Sequence, residues 1–361
     1  METFNPKNPY YHSLQKNLSI IFVIICAIFF LFFSFFSFNN SSKSLLSSPS
    51  LHCPSHPNQT TPLVPKDELG ETLERASMGN KTLIIAVVNR AYVEGDVVPN
   101  MLDLFLEGLW VGEGTWELVK HLMIVAVDQS SYDRCLFRGL HCYRLVIDDG
   151  VDFIGEKVYM SNDFIKMMWR RTRFLLDVLK RGYNFIFTDT DVVWLRNPFT
   201  ILTTNTTQDF DIQFSTDWHN GNSSSNINPI NTGFYFVKSN NKTISLFNKW
   251  YDLKNSSNGL KEQDVLQNLT WKGVLSGLGI KVRFLDTKFF SGFCQDSSDI
   301  RSVVTVHANC CRYIKAKVTD LVQVLRDWGT FKIGRSNLTS SFRWSPHVEC
   351  RNSWNKKKGK G

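Results

Sequence analysis

The spacing of apolar positions changes character twice along the chain. Ser19 to Phe38 is an uncharged run of 20 residues dominated by Ile and Phe. At about 1.5 Å per helical residue it matches the roughly 30 Å hydrocarbon core of a bilayer, so it predicts one transmembrane helix. A cleaved signal peptide is the competing reading. The run exceeds the usual ~7–15-residue apolar core, however, and no small-x-small cleavage site follows. Residues 39–79 lose periodicity and fill with Ser, Pro, Asn and Thr, the composition of a flexible stem.

From Lys81 apolar strands alternate with helix-spaced segments. Continuous apolar runs predict strands at 82–88, 121–127, 142–147 and 183–188. Helical spacing predicts helices over 97–111, with Leu102, Phe105, Leu106 and Leu109 on one face, and from Ser161–Asn162 to Lys180, closed by Gly182. Later strands are expected near 212–215, 233–237, 280–285 and 303–306, and helices near 242–253, 263–275 and 316–327. This alternation predicts an α/β domain, a mostly parallel sheet with helices on both faces. Such sheets bind ligands beyond the carboxyl ends of their strands.

Charge and cysteine usage add a compartment. Lys7 and Lys16 precede the apolar run and only Lys43 follows closely, which puts the N-terminus in the cytosol and the body in a lumen. Ten Asn-x-Ser/Thr sequons beyond the run, from Asn39 to Asn337, agree. Of eight cysteines, Cys26 lies in the run; the remaining seven are an odd number, so at least one is free or pairs between chains. Cys135 and Cys142 are close enough to close a small loop. The formal net charge of +8 includes the tail Lys356–Lys360. With no zinc-ligand spacing and no RNA-binding aromatic signature, nothing favours nucleic acid; the remaining excess fits either a pocket for an anionic diphosphate or a scattered solvated surface.

The chemistry concentrates at Thr188-Asp189-Thr190-Asp191, immediately after the 183–188 strand. Two carboxylates two residues apart can share a hard divalent cation, which completes its shell with phosphate oxygens and water. A phosphatase of the haloacid-dehalogenase type also sets Asp-x-Asp after a strand, but it needs a later Gly-Asp-x-x-x-Asp, and none follows. His307, at the end of the 303–306 strand, is the candidate third ligand, with Lys315 and Lys317 behind it. Gln263 and Asp264 begin a helix and can meet sugar hydroxyls. Asn231 and Gly233 open a strand, where Gly permits close backbone approach. Arg170, Arg171 and Arg173 precede the Asp-x-Asp strand, and one of them can reach a phosphate.

Together these residues resemble glycosyltransferase family 77, the plant nucleotide-diphospho-sugar transferases, from about Lys81 to Trp328. The strings that carry the resemblance are Lys-Thr-Leu-Ile-Ile at 81–85, Leu-Asp-Leu-Phe-Leu-Glu at 102–107, and Lys-Met-Met-Trp-Arg-Arg at 166–171. Tyr-Asn-Phe-Ile-Phe-Thr-Asp-Thr-Asp-Val at 183–192, Asn-Thr-Gly-Phe at 231–234, and Glu-Gln-Asp-Val-Leu at 262–266 follow in order. Phe-Cys-Gln at 293–295 and His-Ala-Asn-Cys-Cys at 307–311 complete them.

The resemblance implies a GT-A-like, Rossmann-type fold, a UDP-linked sugar donor, Mn²⁺ or Mg²⁺, retention of configuration and a Golgi membrane location. The acceptor would be a cell-wall glycan or glycoprotein, and the activity a hexosyl- or pentosyltransferase. Asp189, Asp191 and His307 would hold the metal and its diphosphate. Asn89, Arg171, Asn231, Gly233, Lys315 and Lys317 would line the nucleotide-sugar, and Gln263 and Asp264 would face the sugar. The expected organisation is a cytoplasmic tail (1–18), signal-anchor (19–38), luminal stem (39–79), catalytic domain (80–335) and basic tail (336–361). Where the family carries a small, Gly-containing stretch after the double Cys, Arg312-Tyr313-Ile314 stands here. That departure supports the alternative of a catalytically weak nucleotide-sugar binder assisting a partner transferase.

Overall fold

A computed structural model describes residues 67–94, 98–145, 155–157, 159–207, 209–257, 259–334 and 343–355. They belong to one compact unit running from Val64 to Gly361. The 19–38 segment lies outside the described residues. Among those described, no helix is long and apolar enough to cross a membrane.

Seven strands form the main sheet: β1 (Thr82–Val88), β2 (Leu122–Ala126), β3 (His141–Arg144), β4 (Asn184–Thr188), β6 (Ile212–Thr216), β7 (Ile230–Val237) and β8 (Val282–Phe284). Their order is β3-β2-β1-β4-β7-β6-β8. All neighbours are parallel except β7, which runs against β4 and β6. The mostly parallel sheet expected from the sequence is therefore present, with one reversed strand. That reversal has a use. The carboxyl end of β4 and the amino end of β7 share one edge, with Thr188 opposite Phe234.

Alternating strand residues face two cores. Leu83, Ile85, Phe185, Phe187 and Tyr235 pack under α1 (Glu68–Ala76), α4 (Asn162–Lys180), α5 (Asn241–Asp252) and α6 (Glu262–Trp271). Ile84, Ala86, Ile186 and Phe236 pack under α2 (Met101–Val111), beside Cys135 of α3 (Gln129–Phe137). Burial on both faces is why these strands read as unbroken apolar runs. The Ser161 side chain caps α4 by accepting from the Phe164 N–H at 3.2 Å, and Gly182, at φ +81°, turns the chain into β4.

A second sheet of three short strands, β5 (Val192–Trp194), β9 (Phe290–Gly292) and β10 (Thr305–His307), follows the Asp-x-Asp turn. With α2 it makes a third core around Val193, Val306, Leu321 and Trp328, covered by α7 (Ile314–Gly334).

Several elements differ from expectation. The helix expected over 97–111 begins at Met101, where the Asn100 side chain accepts from the Asp103 N–H. The 263–275 segment breaks at Gly273, φ +71°, into α6 and a one-turn helix. Folded structure also extends past both expected boundaries of the 80–335 domain. Within the segment assigned to the stem, α1 buries Leu69 and Leu73, and Asp67 is bound by Arg181 through two 2.6 Å contacts.

Within the segment assigned to the basic tail, residues 343–355 dock against the body. The Trp344 indole donates to the Ser297 carbonyl, His347 stacks on Phe293, and α8 (Val348–Asn352) is joined by the Cys311–Cys350 disulfide. Closing a loop of that length in the unfolded chain is worth roughly 3–4 kcal/mol in the chain-entropy account. Cys135–Cys142 and Cys294–Cys310 are also bonded, which leaves Cys26 and Cys53, both outside the described residues.

Candidate active site

Strand ends and one register bring the site together. β4 stops at Thr188, and the Asp189 N–H donates to the Gly233 carbonyl at 2.6 Å, tying the turn to β7. The chain then enters β5, which pairs antiparallel with β10 so that His307 lies opposite Val192. The Ala308 N–H donates to the Asp191 carbonyl at 3.0 Å. Asp189, Asp191 and His307 thereby offer ligand atoms all within 4.8 Å of one another. Two carboxylates and an imidazole suit Mn²⁺ or Mg²⁺ better than a soft metal.

Asp191 Oδ1 gives the strongest sign of fit. It is buried without a hydrogen-bond partner, and His307 Nε2 stands 3.4 Å from it. Gly233 packs against two of these residues, His307 and Asp189, and against Asn231. A Cβ there would lie 2.4 Å from His307 Cε1 and 2.9 Å from Asp189 Oδ2, so only Gly leaves both ligands where they are.

One buried and one partly buried cation flank the carboxylates. Arg171, 5% exposed, projects from α4 over the Phe187 ring. It donates to Asp189 Oδ1 at 2.9 Å and to Glu262 Oε1 at 2.7 Å. The Thr232 hydroxyl lies within hydrogen-bonding distance of Glu262 Oε1 and Gln263 Oε1. The Thr232 N–H donates to Gln263 Oε1, fixing that amide at the pocket wall. Lys317, in the first turn of α7, donates from Nζ to Asp191 Oδ2 at 2.6 Å.

Charge follows this geometry. Burial, only partly offset by Arg171, pushes Asp189 up to about 6. Burial opposes ionisation of Asp191 too, but Lys317 and then His307 outweigh it and hold that carboxyl well below the usual range. Burial would also discharge Lys317 and Arg171. Asp191 overrides it for Lys317, and Asp189 with Glu262 for Arg171, and both basic groups are held above their ordinary values.

Asn89, Arg171, Asp189, Asp191, Asn231, Gly233, Gln263, His307 and Lys317 line one pocket at the carboxyl edge of the sheet. Asp264 and Lys315, also expected at the site, are not in that lining; Lys315 is exposed on the outer side of α7's first turn. Of the three candidate arginines, Arg171 turns inward.

The pocket holds groups the sequence did not flag. Asp217, just past β6, accepts from the side-chain amides of Asn231 at 2.8 Å and Asn309 at 2.9 Å. A register shift between Phe214 and Ser215 lets the end of β6 turn into the site. Trp354, from the docked C-terminal segment, also lines the pocket. Its indole donates to the Cys310 carbonyl, and the Arg312 guanidinium stacks 4.2 Å from its ring. Arg312 thus lines the pocket beside Trp354, with its backbone N–H bonded to Ser353 Oγ.

Comparison with known proteins gives consistent results. The sequence profile described as nucleotide-diphospho-sugar transferase matches residues 117–321, which contain Asp189, Asp191, Gln263, His307 and Lys317. An uncharacterised Arabidopsis thaliana protein is 57% identical over 81% of this chain and 85% of its own length. A second from the same plant is 38% identical over 80% of this chain and 74% of its own. An Arabidopsis thaliana arabinosyltransferase is 25% identical over 58% of this chain and 54% of its own.

Proposed function

The chain belongs to the nucleotide-diphospho-sugar transferase family, and on that premise we propose that it is a metal-dependent, retaining transferase of the GT-A type, moving a sugar from a UDP-linked donor to a glycan or glycoprotein. The observation that carries this reading is the convergence of Asp189, Asp191 and His307 around a buried Asp191 oxygen that accepts no hydrogen bond. The cation these residues suit would supply Lewis-acid neutralisation of the departing diphosphate.

The chain's own residues do the rest. Arg171 fixes the Asp189 carboxylate from beneath, so little reorganisation is needed when donor arrives. Asn89, Lys317 and Gln263 line the same pocket; in this reading Asn89 and Lys317 serve the base and phosphates, and Gln263, its amide fixed by Thr232, serves the sugar.

Full-length protein in detergent tests this reading with UDP-galactose, UDP-xylose and UDP-arabinose, the last because one relative is an arabinosyltransferase. One donor should release UDP with Mn²⁺, and EDTA should stop it. No UDP release from any donor by folded protein that still binds UDP would favour the weak, partner-assisting reading.

The location proposed is the Golgi membrane, with the 19–38 segment as anchor and the body in the lumen. Exposed sequons at Asn205, Asn222, Asn241 and Asn255 support it. Endoglycosidase should then increase the gel mobility of membrane-expressed protein. Unchanged mobility, with the body open to protease from the cytosolic side, would reverse the topology.

A further inference from the structure

The transferase reading leaves one contact unexplained. Lys317 Nζ sits 2.6 Å from Asp191 Oδ2, on a carboxylate that the same reading gives to the metal. The lysine lies in the first turn of the 21-residue helix α7. A cation there works against the helix dipole, whose amino end already favours negative charge. Lys317 is also largely removed from solvent, its side chain 20% exposed, while that of Asp191 is 4% exposed. Local helix energetics therefore do not account for a basic residue at this position, but the carboxylate opposite does.

Charge counting shows the consequence. Asp189 and Glu262 share the single positive charge of Arg171, while Asp191 is paired one-to-one with Lys317, so three carboxylates meet two resident cations. A divalent cation entering this cluster meets carboxylates that already hold monovalent partners. It must share Asp191 with an ammonium a few ångströms away, in a pocket that screens charge poorly. The repulsion disappears if Lys317 leaves Asp191 for another anion. A diphosphate bound at the metal provides that anion, within reach of the same flexible side chain and beside the positive end of α7.

We propose that Lys317 is a resident counter-ion of the metal site, holding Asp191 until a nucleoside diphosphate arrives and then passing to the phosphate oxygens, so that metal and nucleotide bind strongly only together. The inference rests on the transferase reading and deepens it by naming what couples the two ligands. The coupling is reciprocal, since whatever factor UDP contributes to metal affinity, metal contributes to UDP affinity. It also protects the site, because Mn²⁺ is not captured without donor and the carboxylates do not stand uncompensated.

Mn²⁺ binding to the full-length protein, followed by electron paramagnetic resonance with and without UDP, tests the proposal independently of turnover. Wild-type protein should bind Mn²⁺ weakly alone and at least 100-fold more tightly with saturating UDP. Lys317→Met should bind Mn²⁺ alone at least tenfold more tightly than wild type, and the enhancement by UDP should shrink at least tenfold. Damage to the fold would weaken metal binding, so the sign separates a counter-ion from a structural lysine. Lys317→Arg keeps the charge and should keep the low Mn²⁺ affinity, which provides a second reading if the Met variant folds poorly. Equal or weaker Mn²⁺ binding by Lys317→Met with an unchanged melting temperature, or tight binding by Lys317→Arg, overturns the proposal. Absence of Mn²⁺ binding by wild-type protein even with UDP overturns the metal-site reading itself.

Discussion

Arg171→Met should destabilise the protein by about 3–5 kcal/mol at neutral pH, the cost of leaving buried charge uncompensated. Arg171 is the sole cation contacting Glu262 among the described residues. Glu262 is 1% exposed, and its Oε2 is already buried without a hydrogen-bond partner. Met fills much of the arginine stem, so packing over Phe187 is largely kept and the loss is electrostatic. The deficit should also depend on pH in a defined direction. Asp189, pushed up to about 6 with Arg171 present, would take its proton more readily without it. A carboxyl whose folded pKa lies above its unfolded value near 3.8 favours folding below that value and loses the benefit as pH rises through the folded pKa. Both proteins lose that benefit together between about pH 4 and 6, so the variant should follow wild type at a constant offset there and fall further behind as pH rises above about 6, where only the variant's Asp189 still holds its proton. Adding Glu262→Gln should recover part of the loss. Urea unfolding across that pH range measures this; a pH-independent cost under about 1 kcal/mol would show that Arg171 is not the counter-charge of this network.

The sequence was most legible where burial imposes a pattern. β1, β2 and β4 are covered on both faces, so their apolar runs stood out, and the abrupt change from Phe187 to Asp189 marked the sheet edge. His307 was legible for the same reason, at the end of the apolar Val303–Val306 stretch. What could not be read there was the β5–β10 register that sets His307 beside Asp191, because three-residue strands carry no periodicity. Arg171 could have been chosen from its neighbours, since it shares a helical face with the buried Leu175 and Val178.

Other residues left weaker traces. Asp217 is a single acid after a strand whose late register shift redirects it, and neither feature has a sequence signature. Residues 343–355 attach through widely spaced single contacts and a disulfide spanning 39 positions, so no local pattern announced them. The α1 segment buries few large apolar side chains and sits in stem-like composition, which concealed it. Lys317 was flagged as a basic residue near the site, but only the structure showed that its partner is the Asp191 carboxylate itself.

Asp191→Asn should lower donor turnover about 1000-fold, equivalent to ~4 kcal/mol of lost transition-state stabilisation. The substitution keeps the shape and one oxygen while removing the charge. The Asp191 backbone carbonyl still accepts from Ala308, so the turn between β4 and β5 survives. Lys317 loses its ion pair but retains access to water, and the cost should stay within a few °C of melting temperature, about 1–2 kcal/mol. The site, by contrast, would lose a charged oxygen for the cation, and Asp189, already reluctant to ionise, does not replace it. The decisive measurement is Mn²⁺-dependent UDP release from the preferred donor by wild-type and Asp191→Asn protein, beside their melting temperatures with and without Mn²⁺ and UDP. The account predicts a folded variant with about one-thousandth of the activity and no stabilisation by Mn²⁺ and UDP together. Near wild-type turnover, or undiminished Mn²⁺-dependent stabilisation, would contradict the assignment of Asp189, Asp191 and His307 as the metal-holding centre of the transferase.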